Sequence, residues 1–146
     1  MKKFKETKKS KAFTLVELLI VLIIIGILAG MMMLNSMSAT AKAEAVKIVS
    51  DMRNIKSASL LYYADNMKWP VVGSEASLDQ YLDQKISDGG KYKLTGTNPL
   101  LIEATVSGDQ AIKDKLKGMA SESALFNSDG IATYDGSGNV YMVIHK

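Results

Sequence analysis

The sequence has 146 residues, a formal net charge of +3, no cysteine and one histidine. Without cysteine the chain has no disulfide, no thiolate metal site and no thiol nucleophile. The single histidine, His145, excludes a metal site with two histidine ligands. The length suits one domain, or one small domain with an appendage. The positive charge would favour a nucleic-acid or anionic-membrane partner only if its lysines lay on the folded part.

The lysines are concentrated at the start of the chain. Residues 1–12 hold six lysines and one acid, a net charge of +5, which leaves −2 for the remainder of the chain. The charge of the whole chain therefore gives no argument for a nucleic-acid partner.

An apolar run follows, from Phe13 to Leu34, in which 18 of 22 residues are apolar. As a helix it would be roughly 33 Å long, enough to cross a bilayer core. It is longer than the apolar part of a secretory signal peptide and no Ala-x-Ala site ends it, which favours a retained transmembrane helix. The preceding lysines predict a cytoplasmic N-terminus and an outward-facing chain after Leu34.

One acid, Glu17, interrupts this run. A carboxylate at the centre of a membrane helix costs roughly 2.5–3.5 kcal/mol on insertion scales, unless it is paired or protonated. Glu17 either lies at the membrane interface or has a charged partner, and an intramembrane acid favours the second interpretation.

The string Lys11-Ala12-Phe13-Thr14-Leu15-Val16-Glu17-Leu18 resembles the N-terminal signal of type IV pilins and type II secretion pseudopilins. The resemblance implies that prepilin peptidase removes the leader between Ala12 and Phe13 and methylates the new amine of Phe13. It also implies that Glu17 pairs with the amine of a neighbouring subunit during assembly, with Thr14 as a second assembly residue. Two residues depart from the family pattern: Ala12 replaces the usual Gly, and Leu34 replaces a frequent Pro.

The helix is predicted to continue beyond the membrane, because residues 31–69 contain neither Pro nor Gly. Pro70 predicts its end near Trp69-Pro70. Lys47 and Asp51 belong to the face expected in solvent, spaced for an i,i+4 pair. The pattern from Asp51 to Pro70 extends the family resemblance. The opposite face carries apolar or small residues at helical spacing: Ala41, Ala45, Ile48, Met52, Ile55, Ser59 and Tyr62.

Residues 71–146 are predicted to form a small head that needs the long helix as part of its core. Ser77-x-x-Gln80 resembles a capping box before a short helix over 78–85, and Asp109 a cap before a helix over 111–120. Strands are predicted over 91–95, 100–106, 131–134 and 140–144. The fold class is therefore α+β: a long N-terminal helix packed on a small, largely antiparallel sheet. The predicted organisation is a leader (1–12), a membrane and assembly helix (13–34), its amphipathic continuation (35–70) and the head (71–146).

Possible sites in the head are few. Asp135, Ser137 and Asn139 alternate as calcium ligands do, but the acid expected at the twelfth position of such a loop is replaced by Lys146. A glycine-containing turn is the preferred interpretation, with no cofactor. The aromatic residues are scattered without a basic cluster, which predicts core packing rather than stacking on nucleic acid.

The sequence therefore favours a structural subunit of a type IV pilus-like filament, without enzymatic activity. The alternatives are a pseudopilin of a type II secretion system and, more remotely, a single-pass membrane-anchored binding protein. By resemblance, the partners are copies of the chain, other pilin-like subunits, prepilin peptidase and an inner-membrane assembly platform. The location would be the inner membrane, then the filament.

Overall fold

The structure, a computed structural model, describes residues 13–87 and 89–146. The chain divides into two compact units, Met1–Met37 and Ser38–Lys146. The described part of the first unit is helical from Leu15 onward, and the second unit contains the sheet. In chain order the helices and strands are α1 (Leu15–Asn66), β1 (Tyr92–Thr95), β2 (Leu100–Ala104), α2 (Gln110–Ser123) and β3 (Val140–His145).

The three strands form one antiparallel sheet in the order β1-β2-β3. The turn from β1 to β2 requires glycine at Gly96, which has φ +71°. A Cβ at Gly96 would lie 2.5 Å from the carbonyl oxygen of Pro99. This close approach brings Leu94 opposite Ile102 and fixes which residues of β1 and β2 face the core.

The face of α1 with apolar or small residues from Ala41 to Tyr62, here called the apolar stripe, packs on the head as predicted. Its members between Ala41 and Ser59 are all buried, and Tyr62 is half-buried. They pack against the inward-facing residues of the sheet, because alternate strand residues point to one side. Leu116 and Ala120 of α2 complete the same core. The buried strand residues of this core are Tyr92, Leu94, Leu100, Ile102, Ala104, Val140, Met142 and Ile144.

Asp51, predicted to face solvent on α1, instead bonds to the sheet, and Glu44 of the same helix bonds to the residue before β1. The Tyr92 hydroxyl donates to Asp51 Oδ2 at 2.7 Å, so Asp51 bonds across to β1 rather than pairing with Lys47. The pKa of the Tyr92 phenol is raised, mainly because the phenol is buried and secondly because it bonds to the Asp51 carboxylate. Lys91 Nζ lies 2.6 Å from Glu44 Oε1, and this contact lowers the pKa of Glu44.

The helix α1 ends at Asn66, before the predicted end near Trp69-Pro70. The side-chain amide of Asn66 donates to the carbonyl of Tyr62 at 3.0 Å, and Met67 adopts a left-handed conformation with φ 54°. These two residues end the helix at Asn66, four residues before Pro70, which was predicted to end it.

The predicted capping box at Ser77 and helix over 78–85 are wrong. The chain instead makes two 3-10 turns, Glu75–Ser77 and Asp79–Tyr81. The hydroxyl of Ser77 donates back to the carbonyl of Ser74 at 2.7 Å, within the first of these turns. The carboxylate of Asp79 accepts from the amide of Ile86 and the hydroxyl of Ser87, which folds the segment back as a loop.

The predicted strand over 131–134 is also wrong, and within residues 13–87 and 89–146 the sheet has three strands rather than four. An isolated β-bridge between Phe126 and Thr133 forms there instead. The carboxylate of Asp129 accepts hydrogen bonds from the amides of Ile131 and Ala132, which holds this segment in a turn. The other strands are confirmed, with β2 ending at Ala104 instead of residue 106.

The cap at Asp109 is confirmed, since its Oδ1 accepts from the amide of Ala111 at 2.9 Å. The helix α2 that it begins runs to Ser123, three residues beyond the predicted end, and stops where Ala124 turns left-handed.

The dependence of the head on α1 predicts unequal effects of two truncations on that helix. Ile55 is 1% exposed and Leu61 is 53% exposed. Ile55→Ala should lower the free energy of unfolding by about 2–5 kcal/mol, because it leaves a cavity in the core. Leu61→Ala should change it by about 0.5 kcal/mol or less.

Urea unfolding of the detergent-solubilised chain, followed by the fluorescence of Trp69, measures both values. Equal losses from the two variants would contradict this assignment of the core face.

Candidate functional site at the start of the long helix

The first turn of α1 is closed by reciprocal hydrogen bonds between Thr14 and Glu17. The Thr14 amide donates to Glu17 Oε2 at 2.8 Å, and the Glu17 amide donates to Thr14 Oγ1 at 3.2 Å. The Thr14 hydroxyl also donates to Glu17 Oε2, at 2.9 Å. This is a capping box, with Thr14 as the N-cap and Glu17 at the third helical position. It satisfies amides that the helix itself leaves without partners.

The capping box gives Glu17 hydrogen-bond donors but no countercharge. The carboxylate accepts two of the three bonds, from the amide and from the hydroxyl of Thr14, and both donors are neutral groups. A carboxylate in an apolar environment is fully compensated only when an opposite charge joins its hydrogen bonds. Glu17 is therefore oriented by its own subunit and still able to accept a cation.

The surface that follows this turn is apolar on every side. Every residue from Phe13 to Met33 is exposed in the single chain, including Ile23, Ile27 and Met31. Among the residues that the structure describes, α1 is the one helix long and apolar enough to cross a membrane. Such a surface requires lipid or other apolar helices around it.

Some of the predicted site residues lie within the described part of the chain, which begins at Phe13, and some lie before it. Ala12, with the rest of the leader, lies outside the described residues. Phe13 is exposed and lies directly before the capping residue Thr14. Cleavage, methylation of Phe13 and pairing of Glu17 with a neighbouring amine therefore stay predictions. Sequence reasoning missed the bonds between Thr14 and Glu17, although the spacing Thr-x-x-Glu is itself the signal of a capping box.

The candidate calcium residues belong to a turn closed by its own side chains. Asp135 Oδ1 accepts from the amide of Ser137 at 2.9 Å and from its hydroxyl at 2.6 Å, which lowers the pKa of Asp135. Asn139 points its amide nitrogen to Glu103 Oε1, 2.6 Å away. No group of three His, Cys, Asp or Glu side chains suited to a metal occurs within residues 13–87 and 89–146. The preferred interpretation, a plain turn without calcium, stays a prediction to be tested, with calcium binding as its alternative.

The aromatic residues divide between the core and a surface stack. Tyr92 and Tyr134 are buried, as the core interpretation predicts. Trp69 lies between two rings, with its centroid 4.5 Å from that of Tyr63 and 4.6 Å from that of His145. His145 is exposed, as expected for a residue near the terminus, but this stack ties the end of β3 to the segment after α1.

A long apolar helix whose second half packs on a small antiparallel sheet defines a pilin-like fold. The major type IV pilin PilA1 from Clostridium difficile shares it, with a TM-score of 0.52 and 25% sequence identity over 75% of this chain and 99% of that chain. Residues 7–33 match the family model described as the prokaryotic N-terminal methylation motif.

Type II secretion system core protein G from Aeromonas hydrophila is 30% identical over 102 residues, which are 64% of this chain and 70% of that protein. Core protein G from Escherichia coli K12 is 39% identical over 64 residues, 44% of each chain. The chain belongs to the family of type IV pilins and type II secretion pseudopilins.

The capping box predicts that Thr14 stabilises the first turn of α1 through its hydroxyl. Thr14→Ala removes that oxygen and should destabilise the turn by about 1 kcal/mol, whereas Thr14→Ser keeps it. Amide hydrogen exchange of the protein in lipid nanodiscs, read at Glu17 and Leu18, should therefore be faster in the alanine variant only. Equal acceleration in both variants would contradict a role for the hydroxyl.

The closed geometry of the Asp135 turn predicts that calcium leaves the protein's stability unchanged. A thermal unfolding midpoint measured with excess calcium should equal that measured with a chelator. A midpoint that rises with calcium in the native chain, but not in Asp135→Asn, would show that the turn binds the ion.

Proposed function

We propose that the mature chain is a structural subunit of a type IV pilus-like filament and polymerises through the first half of α1. The observation that carries the proposal is the apolar surface from Phe13 to Met33, which is exposed on every side and contains the oriented carboxylate of Glu17 near its start. In the membrane this surface is covered by lipid, and in the filament by the same surface of neighbouring subunits.

In this proposal the neighbour's N-terminal amine supplies the countercharge of Glu17. Removal of the leader before Phe13 creates that amine, so that a subunit becomes able to pair only after processing. Two opposite charges, each costly in an apolar environment, compensate each other when they meet there. The pairing thus selects processed subunits and sets the axial position of one helix against the next.

The same proposal assigns a membrane location and no catalysis. The lysines before the apolar run orient the N-terminus toward the cytoplasm, with residues after Leu34 outside. Prepilin peptidase and an inner-membrane assembly platform are the partners that processing and extraction from the membrane require. The alternative is a type II secretion pseudopilin, which the likeness to core protein G favours.

Substitution of Glu17 separates the helix cap from the charge. Glu17→Gln keeps an oxygen that accepts from the Thr14 amide but carries no charge, so that it cannot form an ion pair with a protonated amine. We expect its leader to be removed normally, as intact mass shows by loss of residues 1–12. Its filament yield should fall roughly tenfold or more, because loss of one member of a buried pair costs about 3–5 kcal/mol.

A strain without prepilin peptidase provides the control, and there the native chain should keep residues 1–12. A native chain that stays uncut when the peptidase is present would overturn the proposed processing. Normal filament yield from processed Glu17→Gln would overturn the role of the charge.

A further inference from the structure

The loop of residues 127–132, here called the Ile131 tip, holds an apolar side chain rigidly in solvent. Ile131 is 78% exposed. Asp129 Oδ1 accepts from the amides of Ile131 and Ala132 at 2.9 and 3.0 Å. The Asn127 amide donates to the carbonyl of Ala132 at 2.8 Å, which closes the loop.

The base of the tip is fixed against the sheet. Gly130 is buried, and a Cβ at this position would lie 2.8 Å from Leu101 Cδ2 and 3.3 Å from Pro99 Cγ. The conformation of the tip is therefore set before any contact is made, which reduces the entropy lost on binding. A fixed, exposed isoleucine is a favourable anchor for a partner with a matching concavity.

The tip is also acidic. Its two backbone hydrogen bonds hold the pKa of Asp129 below its usual range, so this carboxylate is ionised at neutral pH. Residues 124–145 contain Asp129 and Asp135 but neither lysine nor arginine. Among the described residues, no cationic side chain forms an ion pair with Asp129.

A groove of complementary character lies between α1, the end of α2 and β3. It has a volume of about 690 Å³, and Met142, Ile144 and Phe126 contribute apolar surface to it. Arg53, Lys56 and Lys146 line it against a single acid, Glu122. We call it the basic groove.

The cations of the basic groove are available for a partner. Arg53 Nη2 donates to the hydroxyl of Ser123 at 3.3 Å, which orients the guanidinium without neutralising it. In the part of the chain that the structure describes, neither Arg53 nor Lys56 has a carboxylate within ion-pair distance. Five donors on a planar guanidinium suit recognition of a carboxylate.

We propose that the Ile131 tip of one subunit binds in the basic groove of a neighbouring copy, with Ile131 on the apolar floor and Asp129 facing Arg53 and Lys56. The contact rests on the proposed filament and adds a second interface to it, between heads. In this arrangement each subunit gives its tip to one neighbour and receives the tip of another, so that the contact is heterologous and repeats from subunit to subunit. Opposite charges favour this register over tip-to-tip contact.

Engineered cysteines test the contact directly, because the native chain contains none. The double variant Ile131→Cys, Lys56→Cys should form disulfide-linked multimers well beyond dimers when sheared filaments are oxidised, and reduction should return them to monomers. The matched control is Ile131→Cys with Lys93→Cys, since Lys93 is exposed on β1, the opposite edge of the sheet. This pair and each single variant should give no multimers.

Charge removal gives an independent measurement. Asp129→Asn keeps the oxygen that closes the loop but loses the charge, and should lower filament yield roughly tenfold, as expected for an interface anchor. The control is Asp135→Asn, the same change in the neighbouring turn, which should leave the yield unchanged.

Filaments that form normally from Asp129→Asn, or that give no cross-link between residues 56 and 131, would overturn this contact and leave the proposed function standing. Cross-linking that stops at dimers would overturn its repeating character, and cross-linking of Ile131→Cys only to a different protein would overturn a second copy as the occupant. Absence of filaments from the native chain would overturn the proposed function, and this contact with it.

Discussion

Burial of the apolar stripe of α1 is the interaction on which the second unit is built. A head with three short strands and no disulfide has little apolar surface of its own to bury. Ile48, Met52 and Ile55 supply it, and burial of each such side chain contributes roughly 1.5–3 kcal/mol. Because the stripe belongs to α1, the fold of the head depends on the sequence that also carries the assembly surface. The polar bonds from Asp51 to Tyr92 and from Glu44 to Lys91 then fix how the sheet is placed on that helix.

The beginning of the same helix shows how hydrogen bonding and charge differ as requirements. Thr14 supplies two hydrogen bonds to Oε2 of Glu17 within one subunit. These two bonds bring no opposite charge to the carboxylate, and an opposite charge offsets a further part of the cost of removing it from water. The hydrogen bonds form the start of the helix in every subunit. The remaining charge of Glu17 favours a partner that carries a positive charge. A capping box is thus compatible with assembly rather than an alternative to it.

The parts of the fold that depend on periodicity could be predicted from the sequence, and the parts that depend on single side chains could not. The stripe of α1, the strands β1, β2 and β3, and the cap at Asp109 all follow from repeated spacing or a standard turn. The predictions of a helix over 78–85 and a strand over 131–134 were wrong for the same physical reason. Asp79 and Asp129 each bind backbone amides through their carboxylates, so that the chain folds as a loop where its pattern suits a helix or a strand.

The candidate site could be located from the sequence, since Glu17 is conspicuous in an apolar run, but its internal bonds were missed. The Thr-x-x-Glu spacing is compatible with such bonds, and the apolar surroundings of the acid point equally to a partner outside the subunit. The stack of Trp69 on His145 gives no signal in the sequence at all, because 76 positions separate the two rings. The exposure of Ile131 was equally hidden, since a strand assignment over 131–134 implied alternation between core and solvent.

The chain exposes two apolar surfaces of different kinds, the helix surface from Phe13 to Met33 and the single side chain of Ile131, and they suit different partners. The surface from Phe13 to Met33 is long and uniform, so that lipid covers it as well as another helix does. Ile131 is a single side chain beside an acid, too small and too polar in its surroundings to favour lipid. Only a surface with an apolar floor and a cationic wall compensates both of its features, and the basic groove combines them. In the proposed filament, a subunit built in this way stays separate in the membrane and meets its neighbours in one defined register once the helices come together.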